Sequence, residues 1–83
     1  MDRILVEILL PAAGRAFDVF IPAHSPLGEV AALAARALSS LARGCFLPDG
    51  QAMLFDADSG RALDAGKSAA QLGLSNGKQL IIT

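Results

Sequence analysis

The stretch Arg3-Ile4-Leu5-Val6-Glu7-Ile8-Leu9-Leu10 alternates with a period of two. Ile4, Val6, Ile8 and Leu10 fall on one parity and are all apolar, which marks a strand with one face on a core. Arg3, Leu5, Glu7 and Leu9 share the other parity, and that mixture is unusual for a purely solvated face. Pro11-Ala12-Ala13-Gly14-Arg15 interrupts the pattern as a turn, and Ala16-Phe17-Asp18-Val19-Phe20-Ile21 resumes it. Phe17, Val19 and Ile21 form its inner set, with Asp18 and Phe20 opposite. Two alternating runs around a short Gly-containing loop predict an antiparallel hairpin.

Beyond the hairpin the period changes. Ser25 is a good N-cap residue and Pro26 suits the first helical position. No capping box is formed there, because Gly28 stands three residues after Ser25. Leu27, Val30, Ala34, Ala37, Leu38 and Leu41 then recur at helical spacing, while Glu29, Arg36 and Arg43 recur on the opposite side. This predicts an amphipathic helix of about four to five turns, with Gly44 as its stop. Glu29 near its start and Arg43 near its end also suit the helix dipole.

Leu47-Pro48-Asp49-Gly50 reads as a turn, and residues 51–56 as a third strand with Met53 and Phe55 inward and Leu54 outward. Ala62-Leu63 reads as a very short strand or bridge. Lys67 to Gly73 is short and irregular, with one helical turn ending at Gly73. Ser75-Asn76-Gly77 is a turn. Residues 78–83 form the last strand, with Leu80 and Ile82 on one face and Ile81 and Thr83 on the other. The order is β-β-α-β-(β)-β, an α+β layer pair. The two most apolar strands, 3–10 and 79–82, belong at its centre. A single helix covers one face of such a sheet and leaves the other open.

Composition removes most chemistry. The 83 residues are 53% hydrophobic, enough for a folded core, and their length suits one domain over 1–83. A net charge of −1 gives no basic stripe for nucleic acid. No run approaches the roughly 18–20 apolar residues of a membrane helix, so no membrane insertion is expected. With one Cys and one His there is no internal disulfide, and only two of the four ligands of a structural zinc site. Cys45 reads as a small core or near-core residue and His24 as a loop residue, in a cytoplasmic protein. Gly66-Lys67-Ser68 invites a phosphate-loop reading, but Arg61 stands where that pattern needs glycine. Asp56, Asp58 and Asp64 lack the closing Glu of a calcium loop and read as turn carboxylates. No catalytic residue, cofactor or metal is expected.

The whole chain resembles the ubiquitin-like β-grasp, a mixed four- to five-stranded sheet on one helix. Gln51-Ala52-Met53-Leu54-Phe55 is similar to ubiquitin's third strand. Leu63-Asp64-Ala65-Gly66-Lys67-Ser68, Leu74 and Leu80-Ile81-Ile82 follow ubiquitin's closing pattern. The closer resemblance is to the YukD/EsaB family, small bacterial ubiquitin-like proteins of type VII secretion systems. A related form of these is the cytosolic domain of a membrane component. Phe17-Asp18-Val19-Phe20-Ile21, Ser25-Pro26-Leu27-Gly28-Glu29-Val30 and Leu72-Gly73-Leu74-Ser75-Asn76-Gly77-Lys78-Gln79-Leu80 carry that resemblance.

The resemblance implies a non-catalytic protein-interaction module, an accessory or regulatory component of the secretion machinery. Conjugating and sulfur-carrying relatives work through a Gly-Gly tail, and here the sequence runs to Thr83 within the last strand. A modifier or sulfur carrier with a missing tail is therefore the alternative, as is the cytosolic domain of a secretion membrane component. The strand parities put Leu5, Leu9, Phe20, Leu54 and Ile81 on the open face. Five large apolar side chains from neighbouring strands predict a contiguous protein-binding patch. The resemblance places the positions of Leu54 and Ile81 on the face that binds partners. A homodimer through that face is the competing use.

Overall fold

The computed structural model describes residues 2–11, 13–41 and 52–83. Four strands and one helix follow in the order β1 (Arg3–Leu10), β2 (Arg15–Pro22), α1 (Leu27–Leu41), β3 (Leu54–Asp56) and β4 (Lys78–Ile82). The sheet is mixed, in the order β2-β1-β4-β3, so the two most apolar strands are central as expected. β1 and β2 form the predicted antiparallel hairpin, in unbroken register from Arg3↔Pro22 to Leu10↔Arg15. Gly14 closes its turn at φ +63°, a backbone conformation that a Cβ disfavours. β1 pairs parallel with β4 from Val6↔Lys78 to Leu9↔Ile81, and β3 pairs antiparallel with β4. Residues 62–63 contribute only a bridge, Phe55↔Ala62.

The parallel pair needs a clean start, and the turn before β4 supplies it. Gly77, at φ +88°, donates its N–H to the Leu5 carbonyl at 2.8 Å. The Leu5 N–H in turn donates to Asn76 Oδ1 at 2.8 Å. The two backbone groups of Leu5 that precede the ladder are thereby satisfied.

The core lies between the sheet and α1. It joins Val6, Ile8 and Leu10 of β1, Ile21 of β2, Leu54 of β3, and Leu80 and Ile82 of β4 to Leu27, Val30, Ala31, Ala34, Ala35 and Leu38 of the helix. Phe17 and Val19 pack against this cluster from the edge. Among the predicted helix core positions, Ala37 is exposed. Ala31 and Ala35 are buried instead, so the buried stripe is centred one residue-step away from the predicted one.

The helix begins one residue later than predicted. Pro26 is the flanking residue, and its carbonyl accepts the N–H groups of Glu29 at 3.0 Å and Val30 at 3.2 Å. The earlier N–H groups are satisfied by a loop: Leu27 donates to the Lys67 carbonyl at 2.9 Å and Gly28 to the Ala65 carbonyl at 3.0 Å. Gly28 makes this approach possible, since a Cβ there would stand 3.2 Å from that of Ala65. The reciprocal cap that Ser25 lacks occurs at Ser68. The Ser68 N–H donates to Gln71 Oε1 at 2.9 Å, and the Gln71 N–H donates to Ser68 Oγ at 3.2 Å.

One inward–outward assignment is reversed. Leu54 is a core residue, 3% exposed, and Met53 is 48% exposed. Leu54 stands opposite Ile82, which faces the helix, and Phe55 stands opposite Ile81, which does not. The predicted helix end at Arg43 and Gly44, Cys45, the turn at 47–50 and the first residue of the predicted third strand, Gln51, lie outside the described residues.

Candidate functional site: the open sheet face

The registers align the outward side chains in rows across the strands. One row runs Ala16, Leu9, Ile81, Phe55, one residue from each strand of the sheet. The next runs Asp18, Glu7, Gln79. A third pairs Phe20 with Leu5. Of the residues expected here, Leu5, Leu9, Phe20 and Ile81 do lie on this face. Leu9 and Phe20 are exposed, and Leu5 and Ile81 are half-buried. Leu54 is not there; Phe55 occupies its place beside Ile81.

The patch is also not contiguous. Glu7 lies between Leu5 and Leu9 on the same strand face, and Gln79 Nε2 donates to Glu7 Oε1 at 3.0 Å. With Asp18 alongside, this forms an acidic and amide band across the middle of the face. It separates the Leu9–Ile81–Phe55 row from the Phe20–Leu5 pair. Arg3 covers the latter, its guanidinium 5.6 Å from the centre of the Phe20 ring. That is cation–π distance. Two small apolar subsites flanking a hydrogen-bonding band can fix the orientation of a bound surface, which a uniform apolar patch cannot.

The other groups considered from the sequence are engaged in structure. Loop 64–68 turns carbonyls, those of Ala65 and Lys67, toward the start of α1. A phosphate loop converges N–H groups instead, and here the Gly66 N–H is taken by Asp64 Oδ1 at 2.9 Å. Asp56 and Asp58 both bind Lys78, whose Nζ lies 3.0 Å from each carboxylate. The Lys78 hydrogen bond holds the Asp56 carboxyl below its ordinary range, and bonds to Asp58 and then Asp56 push the Lys78 ammonium up. Among the described residues no group of three or more potential ligands gathers around a metal-sized site. His24 Nε2 lies 2.9 Å from Asp2 Oδ2 at the surface. Among the described residues no helix is long and apolar enough to cross a membrane.

No family model and no curated protein matches the chain. Solved structures match it over its whole length. The ubiquitin-like domain of the Mycobacterium tuberculosis type VII secretion system protein EccD1 aligns at a TM-score of 0.78 and 20% identity. The alignment covers 100% of this chain and 99% of that one. The fold is the ubiquitin-like β-grasp. A chain of the toluene 4-monooxygenase HD complex shares this β-grasp at a TM-score of 0.81 and 14% identity, over 98% of this chain and 96% of that one. A chain of the MycP5-free ESX-5 inner membrane complex aligns at 0.73 and 18% identity, with 98% of this chain spanning 20% of that one. One β-grasp scaffold thus occurs in a secretion assembly and in an oxygenase complex. The function must therefore be argued from the surface.

Two features of that surface escaped the sequence reading. Phe55 was masked because Ala52, Met53, Leu54 and Phe55 are consecutively apolar, so no alternation shows which parity faces out. The polar band was legible in Asp18, Glu7 and Gln79 one strand at a time. Its alignment into a row depends on registers that no single strand encodes.

Proposed function

We propose that this chain is a non-catalytic ubiquitin-like docking module of a type VII secretion system, of the YukD/EsaB kind. It acts in the cytoplasm as one domain over residues 1–83 and does no conjugation. It binds a protein component of the secretion machinery through the Leu9–Ile81–Phe55 row and the Phe20–Leu5 pair, with Glu7 and Gln79 orienting the partner. The supporting observation is the apolar row across all four strands on the face that α1 leaves open. The likeness over the whole chain to the EccD1 domain supports this class of partner.

The test is co-purification from cells that encode the secretion apparatus, combined with export of its small helical-hairpin substrates. Replacing Leu9 and Ile81 together with Asp should abolish recovery of the secretion ATPase or membrane subunit and reduce export, while the circular-dichroism melt stays cooperative. Unchanged recovery and export in a folded double variant would refute the surface assignment.

The whole-length likeness to a toluene 4-monooxygenase chain favours a second reading, in which the same face seats the module in an oxygenase complex. Co-purification separates the two, because oxygenase subunits would then be recovered in place of secretion components.

A further inference from the structure

Phe20, 63% exposed, and Leu33, 58% exposed, flank the same sheet edge from opposite sides. That edge is β2, the outermost strand beside β1. Phe20 belongs to the open face. Leu33 belongs to α1 and stands at the rim of an apolar groove of about 200 Å³ between the helix and β2. Val19, Ile21, Val30, Ala34 and Ala37 also line this groove.

The hydrogen-bond phase of β2 follows from one contact. The Ala23 N–H donates to the Asp2 carbonyl at 3.0 Å. In an antiparallel ladder the bonded pairs alternate, so the odd-numbered residues of β2 turn their backbone groups toward β1. Ala16, Asp18, Phe20 and Pro22 turn theirs outward. The register has no bulge, β2 contains no lysine, and its proline comes last. Asp18 is the one charged residue in its middle, and the other features by which edge strands resist pairing are missing there.

We propose that β2 pairs with β2 of a second copy, antiparallel about a two-fold axis, to make one continuous sheet. The strand is self-complementary in a single register. Asp18 faces Phe20 of the second copy, Val19 faces Val19, Phe17 faces Ile21, and Ala16 faces Pro22. The Asp18 N–H donates to the Phe20 carbonyl across the seam, and the Phe20 N–H donates to the Asp18 carbonyl. The Ala16 N–H donates to the Pro22 carbonyl, which leaves the proline's missing N–H at the end of the seam, beside water. Arg3 lies over the Phe20 ring, so this register brings the Asp18 carboxylate to the opposite charge of Arg3 in the second copy. Sliding the strands to set Asp18 against Asp18 opposes like charges. Sliding them the other way, to set Phe20 against Phe20, abandons the Ala16 pairing. On the helix side Phe17, Val19 and Ile21 are apolar, with the Arg15 guanidinium over the Phe17 ring at each end of the seam, and Leu33 of each copy closes over the joined grooves. The occupant is a second copy because both the charge pair and the hydrogen-bond phase recur under the two-fold.

The experiment is sedimentation equilibrium of the full chain over a range of concentrations, with amide hydrogen exchange on the same samples. The wild type should self-associate to a dimer, and the Asp18 and Phe20 amides should become protected as concentration rises. Asp18→Arg should weaken association about tenfold, because it loses a cross-strand pair twice and opposes Arg3. Combining it with Arg3→Glu should recover the loss. Phe20→Lys with Leu33→Lys should leave a monomer, with circular dichroism confirming that it is folded. If that pair fails to fold, the surface charge swap decides the matter by itself. A wild type still monomeric near about 1 mM, dimerisation that leaves the Asp18 and Phe20 amides unprotected (pairing through the open face), or a charge swap that restores nothing overturns the proposal.

Discussion

Leu54 stands opposite Ile82 in the antiparallel ladder of β3 and β4, and both side chains lie under the sheet against α1. One residue on, Phe55 stands opposite Ile81 on the far side. A single step along the chain thus separates a core position from one on the open face. Leu54→Ala should cost about 2–5 kcal/mol, since it removes a fully packed side chain and leaves a cavity. Phe55→Ala removes a half-buried ring and should cost clearly less. Urea midpoints of the two variants check this. Equal losses would mean that Phe55 is as much a part of the core as Leu54.

Ser68 is buried and linked to Gln71 by two reciprocal hydrogen bonds. Ser68→Ala leaves the Gln71 N–H without its acceptor and should lower stability by about 0.5–2 kcal/mol. Ser68→Thr keeps the hydroxyl and should recover much of that loss. If alanine and threonine behave alike in chemical denaturation, the hydroxyl contributes nothing there.

Gly28 tests the contact between the helix start and loop 64–68. Glycine in a helix ordinarily costs about 1 kcal/mol relative to alanine. Here an added Cβ meets the Ala65 side chain at 3.2 Å and its carbonyl oxygen at 3.4 Å. Gly28→Ala should therefore fail to deliver the usual gain. Gly28→Val should destabilise by about 1–3 kcal/mol and speed amide exchange at Leu27 and Gly28, whose N–H groups are bound by that loop. A stabilised Gly28→Val variant would show that the loop yields freely.

The Lys78 cluster predicts the pH dependence. Asp56 has its folded pKa depressed below 3.8, so its contribution is present above that value and is lost as pH falls through the lowered one. Lys78 has its folded pKa raised above 10.5, so its contribution is present below that value and is lost as pH climbs through the raised one. Lys78→Met should flatten both limbs of the stability profile. The groups are accessible to water, so the effect should shrink in high salt. Urea midpoints between about pH 5 and about pH 2 check the acid limb. Parallel limbs in wild type and variant would mean that the cluster adds no pH-dependent stability.

The faces of β1, β2 and β4 were legible in the sequence because each alternates cleanly: Ile4, Val6, Ile8 and Leu10 point in, and Leu5, Glu7 and Leu9 point out. The helix was legible from its period. Its start was misplaced by one residue because the N–H groups of Leu27 and Gly28 are satisfied by carbonyls from residues 65 and 67, far along the chain. β3 was misread because Ala52, Met53, Leu54 and Phe55 are consecutively apolar and show no alternation. In the fold Asp56 lies near the sheet's end, where Lys78 reaches it at 3.0 Å.

Local pattern by itself determined the order of elements, the central placement of the two most apolar strands and the existence of an uncovered sheet face. These follow from periodicity and from the reach of one helix. Tertiary structure decided which way β3 faces and how the outward residues group. Those depend on the alignment of one strand against another, and a shift of one residue in that alignment exchanges the two faces.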